Sequence, residues 1–600
     1  MARKPIPTAR VRRRSLAVAG SALLMAGLLP LAASAQGEDP RIGLEPGYPV
    51  AEEASWNVER LANVPRVPPF DAPPNNFGFV NSDLAFTGDN AIVGSFNGFQ
   101  IYDVSDPADP FLRGSFVCPG GQGDVSVFGD LLFMSVEETR GRIDCGTQGA
   151  PGAVNPERFR GVRIFDISDI DAPVQVAAVQ LCRGSHTHTL VTDPDDSENI
   201  YVYNSGTAGV RSPDELAGCM NSPLTTDPVT DPNVTLWRID VIQVPLDAPE
   251  DAAVVSQPRI FTDEDTGAFN GLQNTLPGAL HPSGTPYGPL PNTNTCHDMT
   301  AYPALGIAAG ACQGNGILLD ITDPVNPVRL DAVSDPNFSY WHSATLNNDG
   351  TKVIFTDEWG GGTSARCRVT DQPEWGADAI FDIVDGKMEF ASYYKLPVPQ
   401  TTQENCVAHN ASLVPVPGRD ILMQAWYQGG LSMIDFTDSS NPTEIAFFDR
   451  GPINVPNPTT LNLGGLWSTY WYNGNVFGTE IARGFDTFAL LASDHISQNE
   501  IDAASEVQFD EFNSQLQPQI TWAPSFAVVG SYLDQLVRAD DITEKKAKQV
   551  QKGIDRAKRL VDRGQDRAAG EVLRATARLL NQPAEKTLRT ALQDLAESLR

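Results

Sequence analysis

The hydrophobic positions of this chain follow a short-strand pattern that repeats along most of its length. Apolar stretches such as GFQIY, GVRIF, GILL and GLSMI each run into a polar turn phrase, and further apolar residues follow. The four clearest phrases have Pro seven positions after their first Asp: DVSDPADP at Asp103, DISDIDAP at Asp166, DITDPVNP at Asp320 and DFTDSSNP at Asp435. Because Asp side chains cap such turns and Pro fixes their backbone, each phrase predicts a strand, a turn and a second strand.

Each phrase is preceded by two more short apolar stretches with a turn between them. The turns lie at corresponding points of the units: Gly88-Asp89, Gly129-Asp130, Asp349-Gly350, Gly418-Arg419 and Asn473-Gly474. Weaker copies of the phrase near Asp240, Asp382 and Asp486 complete seven units of four strands. Seven such units predict a mainly β fold, a seven-bladed β-propeller over residues 76–510. The last unit lacks a clear fourth strand, and we expect the segment 36–75, which contains ASWNVERLANVPRV, to supply it.

The pattern changes to helical spacing near the C-terminus. After a linker at 511–526, residues 527–600 carry apolar side chains three or four positions apart: Val550, Ile554, Ala557 and Val561, then Val572, Thr576 and Leu579, then Leu588, Leu592, Leu595 and Leu599. Gly564 and Pro583 separate the stretches. This spacing predicts a small α-helical bundle.

Two parts of the chain resemble known families. The repeated D-apolar-S-D-P-x-x-P units and the Gly-rich strands before them resemble LVIVD-repeat proteins over about residues 76–510. That resemblance implies a propeller and no particular activity. The residues DIT at Asp541, the Gly564 spacer, Ala568 and Leu573 look like a FIMAH module. Modules of that type end exported bacterial proteins and imply attachment or partner binding.

The N-terminus has the form of a secretory signal peptide over residues 1–35. Three arginines, Arg12 to Arg14, precede an apolar run, and Ala33-Ser34-Ala35 offers a small-residue cleavage site. A retained anchor is the alternative, which Pro30 disfavours, and the arginines also suit a twin-arginine signal. No later run is apolar enough to span a bilayer, so we expect a secreted, periplasmic or cell-surface protein without a transmembrane span.

Charge and cysteines support the same location. The formal net charge of -32 makes a nucleic-acid partner unfavourable. An even set of cysteines in an exported protein predicts disulfides: Cys118, Cys145, Cys182, Cys219, Cys296, Cys312, Cys367 and Cys406. Pairing of neighbours along the chain, Cys118 with Cys145 and so on, is the simplest arrangement. A competing interpretation makes Cys296 a thiolate ligand of a metal.

Four of the seven histidines occupy one column of the repeat. When the units are overlaid, the first position of the first strand reads Ser82, Gly123, His188, His297, His342, His409 and Trp467. The first strand of each blade lines the central channel, so the column predicts imidazoles converging from four consecutive blades. Neutral imidazole suits transition metals, and His188, His297, His342 and His409 are therefore candidate metal ligands. Iron or copper is favoured over zinc because catalytic zinc usually has three protein ligands.

Several acidic residues close the second strands near the same face and could orient the imidazoles: Glu137, Asp357, Glu358 and Glu480. His186 lies two residues before His188 and is expected at the rim. The alternative is that the acidic residues are solvated strand ends and the histidines only donate hydrogen bonds in a polar channel.

Two functions fit these observations. The first is an exported metal-dependent enzyme, such as an oxidoreductase, acting on a small or lipophilic molecule that enters the channel mouth. The second is a non-catalytic binding or scaffold propeller that recognises a small molecule or extracellular protein and is tethered by its helical module. The histidine column favours the first function, and the C-terminal module favours the second.

Overall fold

The structure, a computed structural model, describes residues 39–77, 80–220, 234–263, 267, 272 and 293–600, and the signal peptide predicted at 1–35 lies outside them. Within these residues the chain forms seven antiparallel sheets, and helices follow at the C-terminus. The prediction of a mainly β, seven-bladed propeller followed by helices is confirmed. Propeller and helices belong to one compact unit, Pro40–Arg600.

Each of the first four sheets is built from four strands that are consecutive in the chain. The first contains β3 (Asn81–Thr87), β4 (Asn90–Ser95), β5 (Gly98–Asp103) and β6 (Phe111–Val117). The second contains β7 (Val125–Phe128), β8 (Leu131–Val136), β9 (Gly161–Asp166) and β10 (Val174–Gln180). The third contains β11 (Thr189–Asp193), β12 (Asp196–Asn204), β13 (Asp240–Pro245) and β14 (Ala253–Ser256). The fourth contains β15 (Asp298–Tyr302), β16 (Ile307–Cys312), β17 (Asn315–Asp320) and β18 (Val328–Val333).

The last three sheets complete the ring, and two of them use strands from the N-terminal segment. The fifth contains β19 (Trp341–Leu346), β20 (Lys352–Asp357), β21 (Asp378–Val384) and β22 (Lys387–Tyr394). The sixth contains β23 (Ala411–Leu413), β24 (Ile421–Ala425), β25 (Leu431–Asp435) and β26 (Thr443–Arg450), with β1 (Glu53–Trp56) paired to β26. The seventh contains β27 (Leu466–Tyr472), β28 (Asn475–Glu480) and β29 (Gly484–Leu490), and β2 (Val58–Val64) is its fourth strand. The start of the chain therefore closes the ring.

The burial of the strands explains their composition. Middle strands such as β4 and β8 are buried along almost their whole length, because each sheet packs against two neighbours and has no solvent-facing side. Outer strands such as β6 and β10 are half-exposed. The turn phrases form as their residues predict: the Asp103 carboxylate accepts hydrogen bonds from the backbone N–H and hydroxyl of Ser105 at 3.1 and 2.6 Å.

The C-terminal part of the chain contains five helices: α1 (Gln498–Ser505), α2 (Phe526–Arg538), α3 (Glu544–Val561), α4 (Asp566–Ala577) and α5 (Lys586–Ser598). Ser497, Ser525 and Thr543 cap the first three through their side-chain oxygens. Helices α2 to α5 share one hydrophobic core. No helix in the described part of the chain is long and apolar enough to cross a membrane.

Between α1 and α2 the chain crosses the end of the central channel. We call residues 511–522 the strap. Strand β30 (Glu511–Asn513) pairs with β3 of the first sheet. Further along, Gln517 donates its backbone N–H to the carbonyl of Ala301 in the fourth sheet. These contacts lie toward the carboxyl ends of the inner strands, so the strap closes the end of the channel opposite the amino ends of those strands.

Candidate metal centre

Three histidines lie at the amino ends of the inner strands of three consecutive sheets. His297 directly precedes β15, His342 is the second residue of β19, and His409 comes two residues before β23. The ring centroids of His297 and His342 are 4.0 Å apart, and those of His342 and His409 are 4.2 Å apart. All three are almost completely buried. The repeat therefore brings these three imidazoles together, as the column predicted.

Backbone carbonyls fix the orientation of two of the rings. Nδ1 of His297 donates a hydrogen bond to the carbonyl of His342 at 3.0 Å, and Nδ1 of His409 donates to the carbonyl of Trp467 at 2.5 Å. A carbonyl can only accept, so Nδ1 carries the proton and Nε2 carries a lone pair. Among the described residues Nε2 of His409 has no hydrogen-bond partner. This is how metal-binding histidines are commonly held.

Glu358, which follows β20, brings a carboxylate to the same point. Its Oε2 is 3.7 Å from Nε2 of His342, and its Oε1 is 3.9 Å from Nε2 of His409. Potential ligand atoms of His297, His342 and Glu358 all lie within 4.8 Å of one another. Two ligands that each bind one ion at about 2.1 Å are at most about 4.2 Å apart. Small side-chain movements therefore let these groups share one metal ion.

Burial sets the protonation states of this group. It lowers the pKa of His297 and His342 well below the usual value, and their neighbouring histidines lower it further. Burial also lowers the pKa of His409, to about 3. The imidazoles are therefore neutral near pH 7, the form that binds metals. For Glu358, burial raises the pKa to about 7, although a hydrogen bond of 2.5 Å from the Tyr427 hydroxyl opposes the rise.

The structure places the fourth predicted ligand, His188, elsewhere. Its Nδ1 is 2.8 Å from the Ser135 hydroxyl and 3.2 Å from the Asp124 carboxylate, both in or next to the second sheet. The ring of His186 instead lies 4.4 Å from that of His297. His186, predicted as a rim residue, thus joins the histidine group, and His188 does not.

An offset between sheets explains this exchange. Thr300 lies three residues after His297, and its hydroxyl donates to the carbonyl of Ala344, two residues after His342. This hydrogen bond defines how the fourth sheet sits against the fifth.

The third sheet makes the corresponding hydrogen bond to the fourth from Thr189, whose hydroxyl donates to the carbonyl of Met299, two residues after His297. The residue three positions before Thr189 is His186. The third sheet has therefore slid by two residues along the channel, which brings His186 to the level of His297. Within its own sheet His188 occupies the same position as His297 does in the next sheet. Overlaying the repeats detects this position within a sheet but not a displacement of one sheet against another.

The acidic residues predicted to orient the imidazoles have different surroundings. Glu137 accepts a hydrogen bond from Nδ1 of His186 at 2.6 Å. Burial raises the pKa of Glu137, but the charge and hydrogen bond of His186 outweigh this, and its pKa is lowered. Asp357 accepts backbone N–H groups of its own sheet, including Tyr340 at 2.8 Å. Glu480 accepts the N–H of Gly465 at 2.7 Å. Asp357 and Glu480 therefore hold loops, whereas Glu358 lies closer to the imidazoles than an orienting residue would.

A cavity of about 540 Å³ opens directly beside this group. His186, His297, His342 and Glu358 line it at one end. His409 lies behind Tyr427 and Trp467, with ring centroids 4.3 and 5.0 Å away. An ion held by these side chains would have one side open to the cavity, so a small molecule could reach it.

The structure contains four disulfides, and no cysteine is free. They join neighbours along the chain: Cys118 to Cys145, Cys182 to Cys219, Cys296 to Cys312 and Cys367 to Cys406. Because Cys296 is in a disulfide, it is not a thiolate ligand. Disulfides persist in oxidising compartments, which is consistent with a periplasmic or extracellular protein.

Comparison with known proteins assigns no family to this chain. No family model and no curated protein matches the chain. A solved structure described as a candidate 6-phosphogluconolactonase from Bacteroides uniformis has a TM-score of 0.38 and 11% identity, over 66% of this chain and 89% of its own. A protein of unknown function from Desulfotomaculum acetoxidans has a TM-score of 0.35 and 11% identity, over 64% and 87%. Similarity at this level carries no argument about activity.

Proposed function

We propose that this protein is an exported β-propeller that binds one transition-metal ion at the amino ends of its inner strands. His297, His342 and Glu358 are the proposed ligands, and His409 is close enough to be a fourth. The observation that carries the proposal is the convergence of their ligand atoms within 4.8 Å in a buried site. The oriented Nε2 of His409, which has no hydrogen-bond partner among the described residues, supports it.

The donor set indicates the class of metal. Two imidazoles and one carboxylate occur in non-haem iron(II) sites and in catalytic zinc sites. Two histidines and one carboxylate with an open position are the facial set typical of non-haem iron(II), which makes iron a better candidate than copper. We therefore propose iron(II) first and zinc second.

The cavity supports a catalytic rather than a structural centre. Structural zinc sites are closed by four protein ligands, whereas catalytic sites keep an open position. Here one side of the ligand group faces a cavity of about 540 Å³. We propose a metal-dependent enzyme, with oxidoreductase chemistry as the leading candidate. The LVIVD type of the propeller and the FIMAH type of the helical module remain part of this proposal, on the strength of their sequence motifs.

Metal content tests the site directly. The full chain is purified after export and analysed by mass spectrometry beside the double variant His297→Ala, His342→Ala and the matched control His188→Ala. The control removes an imidazole of equal burial, 1% exposed against 4% and 2%. We expect about one ion per chain in the parent and the control, and a loss of about tenfold or more in the double variant. Equal metal in parent and double variant would contradict the proposal.

A further inference from the structure

The cavity beside the candidate metal centre has one polar end and one long apolar wall. Apart from the histidines and carboxylates already described, one wall is formed by apolar side chains: Phe77, Val80, Phe96, Leu463, Trp467 and Ile481. The rest of the lining consists of glycines and uncharged polar residues: Gln122, Ser339, Tyr340, Thr363 and Tyr427. The apolar residues come from the first and seventh sheets and the loops next to them, opposite the sheets that supply the histidines. A molecule in the cavity would therefore touch apolar groups along its length and polar groups at one end.

Aromatic rings form a continuous row from solvent to the imidazoles. Phe77 is 51% exposed and marks the mouth of the cavity. Its ring lies 5.9 Å from that of Phe96, which lies 6.2 Å from that of Trp467. Trp467 in turn lies 5.0 Å from His409. Such a row offers ring faces and edges to a flat apolar molecule along the whole path.

The charges of the lining disfavour ionic molecules. None of the described residues that line the cavity is Lys or Arg, and the imidazole of His186 is already paired with Glu137, so an anion would find no unpaired cationic side chain there. The two lining carboxylates already have partners. Glu137 is 2.6 Å from Nδ1 of His186, and Glu358 accepts the Tyr427 hydroxyl at 2.5 Å. A cationic molecule would have to compete with these partners and with the metal ion.

Among the described residues, the strap closes the far side of the channel from the cavity. The strap covers the opposite end of the channel, where Asn513 hydrogen-bonds both backbone groups of Val127 at 2.7 and 2.8 Å. Within the described part of the chain, a molecule would therefore enter from the side where Phe77 and the exposed lining residues Gly361 and Thr363 lie.

We infer that the cavity binds an uncharged, mainly apolar small molecule with a single polar group at the end that reaches His297 and His342. The inference rests on the proposed function only for that polar end. The apolar wall and the absence of Lys and Arg from the described lining residues stand without any metal.

A series of matched probes tests the preference for neutral molecules. Binding of 2-acetonaphthone, the isosteric anion 2-naphthoate and the cation 2-naphthylmethylammonium is measured by equilibrium dialysis, on the protein as purified and again after treatment with EDTA. After EDTA treatment we expect the ketone to bind about tenfold more tightly than either ion, whereas in the protein as purified a bound metal ion would ligate the naphthoate carboxylate and reduce that difference. Equal or tighter binding of an ion to the EDTA-treated protein, or no saturable binding of the ketone, would overturn the inference.

Variants at the mouth locate the binding. Phe77→Asp and Leu463→Asp place a charge on the apolar wall, and Phe111→Asp is the control, because Phe111 is similarly exposed at 55% but lies on the outer strand β6. We expect either wall variant to weaken ketone binding by about fivefold or more and the control to leave it unchanged. Unchanged ketone binding in both wall variants would place the ligand elsewhere and overturn the inference.

These measurements distinguish failure of the proposed metal centre from failure of the proposed ligand class. Metal content should be the same in the parent and in all three aspartate variants. Normal ketone binding in a protein that carries no metal as purified would contradict the proposed metal centre alone. Normal metal content without ketone binding would contradict the ligand class alone.

Discussion

The carboxylate of Glu358 contacts both His342 and Tyr427 at the candidate metal centre. It lies 3.7 Å from Nε2 of His342 and accepts the hydroxyl of Tyr427, which itself packs against His409. Burial raises the pKa of Glu358 to about 7 from an ordinary value of 4.5. Between those pH values the folded protein keeps a proton that the unfolded chain has lost. The contribution of Glu358 to stability is therefore present below about pH 4.5 and is lost as the pH rises through about 7.

Glu358→Gln should remove this pH dependence. In EDTA, the difference in free energy of unfolding between variant and parent should shift in favour of the variant by about 2–3 kcal/mol from pH 5 to pH 8. Urea denaturation at both pH values measures it, and the other buried acids cancel because both proteins contain them. A difference that does not change with pH would mean that Glu358 ionises normally.

Single residues also show what could be predicted from the sequence. His297, His342 and His409 were predictable because the turn phrases fix the register within each sheet. His186 was not, because the two-residue slide of the third sheet against the fourth depends on contacts such as Thr189 to Met299. Glu358 was predicted near the site but only as an orienting group, since its direction depends on the loop after β20.

At the scale of elements, side-chain amides of the strap form hydrogen bonds with backbone groups of the inner strands, where a neighbouring strand would use its backbone. The amide of Asn513 bonds both backbone groups of Val127, and the amide of Gln517 bonds the N–H and carbonyl of Leu346 at 3.2 and 2.7 Å. These bonds connect the strap to the second and fifth sheets across the channel. The segment has no apolar alternation, so the sequence indicated only a linker here.

Replacing the side-chain amides of Asn513 and Gln517 should destabilise the propeller. The double variant Asn513→Ala, Gln517→Ala leaves four buried backbone groups without these partners, and we expect a loss of about 2–4 kcal/mol in the free energy of unfolding. Gln508→Ala, at an exposed position before the strap, is the control. Urea denaturation compares the three proteins. If the double variant matched the control, the strap would be only a loosely attached linker.

At the scale of the whole molecule, the helices pack against the propeller through side-chain contacts and are not connected to it by the chain alone. Glu500 in α1 is completely buried and lies 3.0 Å from guanidinium nitrogens of both Arg419, in the turn between β23 and β24, and Arg538, at the end of α2. Gln535 also donates its amide to the carbonyl of Pro417 at 2.9 Å. The sequence predicted the helices from their spacing, but a long-range ion cluster of this kind has no local pattern.

Glu500→Gln should weaken the docking. It removes the negative charge that the buried side chain of Arg419 and the more exposed side chain of Arg538 share, so we expect a loss of about 1.5–3 kcal/mol in the free energy of unfolding. Calorimetry should show the helices unfolding before the propeller. The control Glu506→Gln changes an exposed residue just after the same helix. A single transition at the parental temperature would show that the cluster does not couple the two parts.

The central claim concerns the ion itself, and X-ray absorption at the metal edge tests it most directly. The account predicts only nitrogen and oxygen neighbours at about 2.0–2.2 Å, with the outer-shell scattering of at least two imidazoles. That imidazole signal should disappear in the His297→Ala, His342→Ala variant. A sulfur shell at about 2.3 Å, or a bound metal without imidazole scattering, would contradict the account.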